Sequence, residues 1–153
     1  MKWSVLSAWR SLRLRCPPST KGGSSRPARW PWLTKRRLSL GARGERVART
    51  LLRSKGHRIL HSNFRHKLGE LDLVSLWQGT VVFTEVKTRS EDGDFSPADN
   101  LSDAQRKRMQ RVAEVYLKRF RLTSLPVRFD VVEVVFPAEG RKTPRVEHYP
   151  AAW

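Results

Sequence analysis

Two acids and a lysine, Asp72, Glu85 and Lys87, stand on either side of a short turn formed by Trp77-Gln78-Gly79-Thr80. Apolar and β-branched residues flank that turn on both sides, which predicts a β-hairpin with Gln78-Gly79 as its two-residue loop. Such a loop pairs Trp77 with Thr80, and counting outward it sets Asp72 opposite Glu85 and Glu70 opposite Lys87. Because strand side chains alternate in direction, all four charged groups are expected on one face. Directly opposed residues lie about 5 Å apart. At that separation two carboxylates repel by roughly 3 kcal/mol at an effective dielectric near 20. A shared proton, a salt bridge or a divalent cation can compensate this. Lys87 supplies one positive charge, and a hard cation held by carboxylate oxygens could supply the rest while keeping waters for chemistry.

An Asp followed across a hairpin by Glu-x-Lys resembles the PD-(D/E)xK nuclease superfamily. Within it, the chain is most similar to the YraN family of nuclease-like bacterial proteins. The matching stretches are Gly44-Glu45 with Ala48 and Leu51, Gly69-Glu70-Leu71-Asp72-Leu73, and Phe83-Thr84-Glu85-Val86-Lys87. Ala113 with Tyr116-Leu117 and then Arg128-Phe129-Asp130-Val131-Val132 complete the series. The resemblance spans about residues 41–136 and leaves out the first forty. It implies an α/β fold with a restriction-endonuclease-like α-β-β-β-α-β core, a mixed sheet flanked by helices on both faces. It also implies a site in which Asp72 and Glu85 hold Mg²⁺ or Mn²⁺, with Lys87 orienting water or neutralising the transition state. Glu45, on the first helix, would join the metal site, and the Val86 backbone carbonyl would add a ligand. As a first-turn acid, Glu45 could equally serve the helix dipole alone. Glu70 is expected to pair with Lys87 or tune its pKa. Where Gln105 stands, members of the family often carry a lysine.

The elements that must position these groups can be read from periodicity. Val47, Ala48, Leu51 and Leu52 fall on one face of a helix over residues 41–55, and Gly56 sits where a glycine ends a helix. A first strand is expected over 57–63, followed by a mobile basic loop in which Arg65 and Lys67 could contact phosphate. His57, His61 and His66 lack a cysteine or a metal-site spacing, so zinc is not expected. In the hairpin, Leu71, Leu73, Val82 and Val86 are expected on one side and Val74, Leu76, Val81 and Phe83 on the other. Strands apolar on both faces need cover on both. Residues 88–101 read as a long acidic loop. Ser102-Asp103-Ala104-Gln105 then forms a capping box that opens a second helix, whose buried stripe is Met109, Val112, Ala113, Tyr116 and Phe120. Its other faces carry Arg106, Lys107, Arg108 and Arg111, which with Arg89 are candidates for nucleic-acid binding. Residues 126–136 form a last convincing strand in which Arg128 and Asp130 share a face and are expected to pair. Residues 138–153 read as a loosely held tail with one short strand at 145–149.

Charge is distributed unevenly. The chain carries 31 Lys or Arg against 14 Asp or Glu, a formal net charge of +17. Residues 1–44 hold 11 of those cations and no acid. Segment 1–40 reads as a disordered basic arm, with Trp3, Trp9, Trp30 and Trp32 between its charges. Residues 41–137 form the nuclease-like domain and 138–153 the tail. A single cysteine, Cys16, excludes an internal disulfide and suits a cytoplasmic location. No apolar run is long enough to span a membrane. The expected function is a metal-dependent endonuclease acting on nucleic acid, DNA in preference to RNA, including branched or damaged forms. The resemblance to junction-cutting nucleases admits a homodimer. The alternatives are a nucleic-acid-binding protein of nuclease fold without turnover and a ribosome- or RNA-associated basic protein.

Overall fold

The computed structural model describes residues 38–91, 101–137 and 143–153. The expected basic arm, apart from its last three residues, and most of the acidic loop lie outside them.

Helix α1 (Leu40–Ser54) begins where the Ser39 hydroxyl accepts from the Ala42 N–H, satisfying one of the helix's orphan donors. It stops at Lys55, and Gly56 follows with φ +85, a conformation open to glycine at little cost. Strands β1 (Arg58–His66), β2 (Gly69–Trp77) and β3 (Thr80–Ser90) follow as a meander. The β2–β3 turn is the predicted one: Gln78 and Gly79 both take positive φ, as a two-residue hairpin loop that matches strand twist requires. Pairing runs from Trp77↔Thr80 to Leu73↔Thr84 in the expected register.

Helix α2 (Asp103–Arg119) opens with the capping box, the Ser102 hydroxyl accepting from the Gln105 N–H and the Gln105 side chain accepting from the Ser102 N–H. It carries the chain back to β4 (Val127–Phe136), which pairs parallel to β3. Strand β5 (Arg145–Tyr149) adds antiparallel to β4, so the mixed sheet has the order β1-β2-β3-β4-β5. This is the restriction-endonuclease-like α/β architecture.

The two helices cover opposite faces. Phe64, Val74, Val81 and Phe83 pack on Met109, Val112, Ala113 and Tyr116 of α2. Leu73, Val132, Val134 and Phe136 pack on Ala48 and Leu52 of α1. On the α1 side a glycine is required: a Cβ at Gly44 would lie 1.8 Å from the Thr88 hydroxyl, so only a bare Cα lets the helix come this close to β3.

Five expectations need correction. Helix α1 begins at Leu40, so Glu45 lies beyond its first turn and is not a first-turn acid placed to serve the helix dipole. Strand β1 does not end at Asn63 but runs to His66, leaving only Lys67 and Leu68 as the turn before Gly69. Arg65 therefore sits on a paired strand rather than a mobile loop. Strand β3 continues through Ser90, held by parallel pairing of Thr88, Arg89 and Ser90 to β4, so the loop begins later than residue 88. Leu71 does not share a face with Leu73; it packs with Val74 against α2. Finally, of the tail expected to be loosely held, residues 138–142 lie outside the described residues and 145–153 are held to the sheet. Beyond the β5 pairing, the Ala152 N–H donates to the Phe129 carbonyl and Trp153 stacks on Phe129 at 5.5 Å.

Candidate active site

The misplaced Leu71 marks the local event that builds the site. Side chains on one strand should alternate, yet Leu71 and Val74 face the same helix. On β1, His61 and Phe64 likewise share the α2 side, in edge contact at 5.9 Å. The β1–β2 register pairs Ser62 with Leu73 and Phe64 with Leu71, which brackets Asn63 and Asp72 between them. Asn63 takes φ +56, a left-handed conformation that this residue type tolerates better than most. Both strands thus kink at one level and the alternation slips by one residue there.

Asp72 lies at this kink. The β2–β3 ladder ends one pair short of it, and its carboxylate does what a strand would otherwise do: Oδ2 accepts the Val86 N–H at 2.8 Å. The expected face-to-face pairing of Asp72 with Glu85 is therefore replaced by a side-chain bond across diverging strands. In a strand, the N–H and C=O of one residue point to the same neighbour. The Val86 carbonyl consequently projects into the same divergence, while its side chain packs on the α1 side.

Asp72 and Glu85 open together onto a cleft of about 530 Å³ between the β1–β2 hairpin and the first half of α2. Burial raises the Asp72 carboxyl from 3.8 to about 7, and the neighbouring Glu85 charge pushes the same way; the Val86 hydrogen bond opposes them. Glu45 and Glu70 add smaller increments of the same sign, which places both near this carboxylate. Among the described residues, Asp72 Oδ1 makes no hydrogen bond.

Lys87 is ion-paired with Glu85, Nζ to Oε1 at 3.3 Å, with both side chains mostly shielded. Glu70 does not meet Lys87 as expected. Its cross-strand partner is Arg65 on β1, at 3.6 Å with both side chains exposed, because β3 has already diverged from β2 at this level.

Of the candidate nucleic-acid contacts, Arg65, Lys67 and Arg108 line the cleft, together with Gln105. The Gln105 carbonyl is engaged by Ser102 in the capping box. Lys107 and Arg111 are exposed on α2 but do not line the cleft, and Arg106 lies 4.0 Å from Asp103 and over the Trp153 ring. Arg89 is ion-paired with Glu133 on β4.

A second polar cluster lies on the α1 face near the C-terminal end of that helix, and sequence reasoning found only its first pair. Asp130, with no exposed surface, receives a two-pronged bond from Arg128 at 2.8 Å through both Nε and Nη2. His148 of β5 lies 2.9 Å from Oδ2, and the Ala151 N–H donates to Oδ1 at 3.1 Å. Burial would raise the Asp130 carboxyl, but the Arg128 and His148 hydrogen bonds hold it below the ordinary range. His57 completes the cluster, bonded to Ser75 at 3.0 Å and stacked on Trp77. Burial lowers its pKa from 6.5 to about 4, an effect that the Asp130 charge offsets only in part. No signal short of the β4–β5 pairing could have revealed His148, which is eighteen residues from Asp130. The three histidines near β1 have separate settings, His57 on Ser75, His61 on Tyr116 and His66 at the cleft.

Among the described residues, no three His, Cys, Asp or Glu side chains converge as a metal-binding group. A cation at Asp72 and Glu85 would accordingly rest on two carboxylates, backbone oxygen and water. The chemistry of this donor set fits a hard ion, which tolerates water in its shell. Two crowded carboxylates, one with its pKa raised by burial and by the other, also present excess negative charge for a cation to neutralise.

An acid at the divergence of two strands, followed on the next strand by Glu-Val-Lys and flanked by a helix on each face, defines a nuclease-like domain of the PD-(D/E)xK superfamily. The family described as Uncharacterised protein family UPF0102 matches residues 44–134. A UPF0102 protein of Rhodopirellula baltica is 40% identical over 116 residues, covering 74% of this chain and 70% of its own length. One from Caldanaerobacter subterraneus is 33% identical over 110 residues, covering 72% and 90%. One from Syntrophotalea carbinolica is 38% identical over 121 residues, covering 79% and 96%. The chain belongs to the UPF0102, or YraN, family.

No described helix is long and apolar enough to cross a membrane.

Proposed function

We propose that this protein is a metal-dependent endonuclease that hydrolyses phosphodiester bonds in nucleic acid, with DNA as the favoured substrate. The observation that supports this reading is the Asp72–Val86 bond at the strand divergence, beside which Asp72 and Glu85 line one cleft with a cationic rim while Lys87, outside the lining, is ion-paired with Glu85. Asp72 and Glu85 would hold Mg²⁺ or Mn²⁺ together with the Val86 carbonyl, and Glu45 would hold the ion's waters. The chemistry such an ion supplies when bound is a more acidic water and relief of negative charge on a phosphoryl oxygen.

The chain's own residues perform the remaining tasks. Arg65, Lys67 and Arg108 attract the phosphate backbone into the cleft. Lys87, tethered by Glu85, presents a fixed positive charge where the reacting phosphate gains negative charge, and fixed charges of this kind need no reorganisation during the reaction. The Val86 N–H holds one Asp72 oxygen, so the carboxylate cannot rotate away from the cleft.

The test is incubation of the full chain with Mg²⁺ or Mn²⁺ and a panel of duplex, single-stranded and branched DNA and RNA. Cleavage that disappears in Asp72→Ala and Glu85→Ala while binding persists supports the reading. Undiminished cleavage in both variants refutes the site, and binding without cleavage by the unaltered protein leaves a non-catalytic nucleic-acid-binding protein.

A further inference from the structure

The tip of the β1–β2 hairpin carries Leu68 with 41% of its surface exposed, between Lys67 and Gly69, which both line the cleft. Nothing in the turn calls for leucine. Tight turns favour Gly, Asn, Asp or Ser, and of the three residues from Lys67 to Gly69 only Gly69 takes positive φ. Nor does the core claim it, since Leu68 belongs to neither apolar cluster. Leu68 itself does not line the cleft, but both its chain neighbours do, whereas the other exposed large apolar side chains, Leu38, Leu40, Val127 and Tyr149, have no cleft-lining residue beside them in the chain.

The tip is also held in place. A Cβ at Gly69 would fall 3.1 Å from Arg108 Cδ, so the turn backbone rests directly on an α2 side chain. The Leu68 N–H reaches His66 Nδ1 at 3.4 Å. Leu68 thus stands exposed on a seated turn at the mouth of a cleft that Arg65, Lys67 and Arg108 line.

Cations of this kind suit phosphates, whereas a leucine among them suits the apolar faces of bases. Proteins that kink duplexes insert Leu, Ile, Met or Phe between base steps in just this way. Insertion costs least where stacking is already broken. We propose that Leu68 is a wedge that enters an unstacked step in duplex DNA interrupted by a nick, flap or branch, and so selects interrupted over continuous duplex at this cleft. The inference rests on the proposed function only for the substrate's being DNA; the insertion itself needs no hydrolysis.

The experiment uses the full chain in EDTA with a synthetic duplex carrying one nick and 2-aminopurine beside it, and with the same duplex sealed. Unstacking of the probe raises its fluorescence. The unaltered protein is expected to brighten the nicked duplex and not the sealed one, and to bind the nicked form roughly tenfold more tightly, the scale of burying one leucine side chain. Leu68→Ala should lose both differences while keeping its affinity for sealed duplex, and Leu68→Met should retain them. An unchanged signal in Leu68→Ala, equal affinity for the two duplexes, or no binding to either overturns the proposal. A Leu68-dependent signal without hydrolysis of any substrate would refute the endonuclease and leave the wedge. Hydrolysis indifferent to Leu68 would do the opposite.

Discussion

Replacing Asp72 by asparagine should remove the proposed activity and yet stabilise the metal-free protein. The carboxyl is raised from 3.8 to about 7 in the folded chain, chiefly by burial and then by Glu85. In the unfolded chain it ionises near its ordinary value. As pH rises from about 4 to about 7, the unfolded state therefore gives up a proton that the folded state keeps, and folding stability falls. A difference of about three units corresponds to a ceiling of about 4 kcal/mol above pH 7. Asparagine is nearly isosteric, carries no charge and still offers an oxygen to the Val86 N–H, so most of that cost should be relieved. Allowing for solvent that reaches the cleft, a gain of about 2 kcal/mol is a reasonable expectation, equivalent to a Tm rise on the order of 10 °C. Thermal unfolding at pH 8 in EDTA measures it directly, and at pH 4 the two proteins should melt together. Added Mg²⁺ should raise the Tm of the unaltered protein and leave Asp72→Asn in place, because a ligand stabilises only the state that binds it. Equal or lower stability of Asp72→Asn at pH 8 in EDTA would refute the claim that this carboxylate is held under electrostatic strain.

His57 should act in the opposite sense. Its pKa is lowered from 6.5 to about 4, so stability present above pH 6.5 is lost as pH falls towards 4, by up to about 3 kcal/mol; urea titrations at pH 7 and 4.5 should show His57→Gln losing much less over that interval. Gly44→Ala should cost about 1–3 kcal/mol through overpacking against Thr88, read as a drop in the urea midpoint, and a neutral result would mean that α1 can shift freely on β3. Asp130→Ala should cost about 3–5 kcal/mol by stranding Arg128 and His148, while cleavage measured below its lowered Tm should persist; selective loss of cleavage would place Asp130 in the catalytic machinery instead.

Much of the frame was legible because it is written in local chemistry. A Gln-Gly turn admits one register, so the pairing from Trp77↔Thr80 to Leu73↔Thr84 follows from two residues. The capping box at Ser102, the glycine after α1 and the apolar stripes at Ala48–Leu52 and Met109–Tyr116 each depend on neighbours within a turn or two. The Arg128–Asp130 pair was visible for the same reason, two residues apart on one strand face. Family resemblance then supplied the order in which these pieces combine.

Tertiary structure alone decided the geometry at Asp72. Period-two alternation puts Leu71 with Leu73 and Glu70 opposite Lys87, and both assignments fail because β1 and β2 kink together at Asn63 and Asp72. Neither strand reports its kink by itself, since the left-handed Asn63 matters only once Asp72 lies beside it and β3 has turned towards β4. The same reasoning covers the C-terminal segment. His148 and Ala151 look dispensable in isolation, yet both reach the buried Asp130 once β5 has paired with β4. Short-range chemistry specified the elements and their charges. Which of those charges meet was set by contacts between strands far apart in the chain.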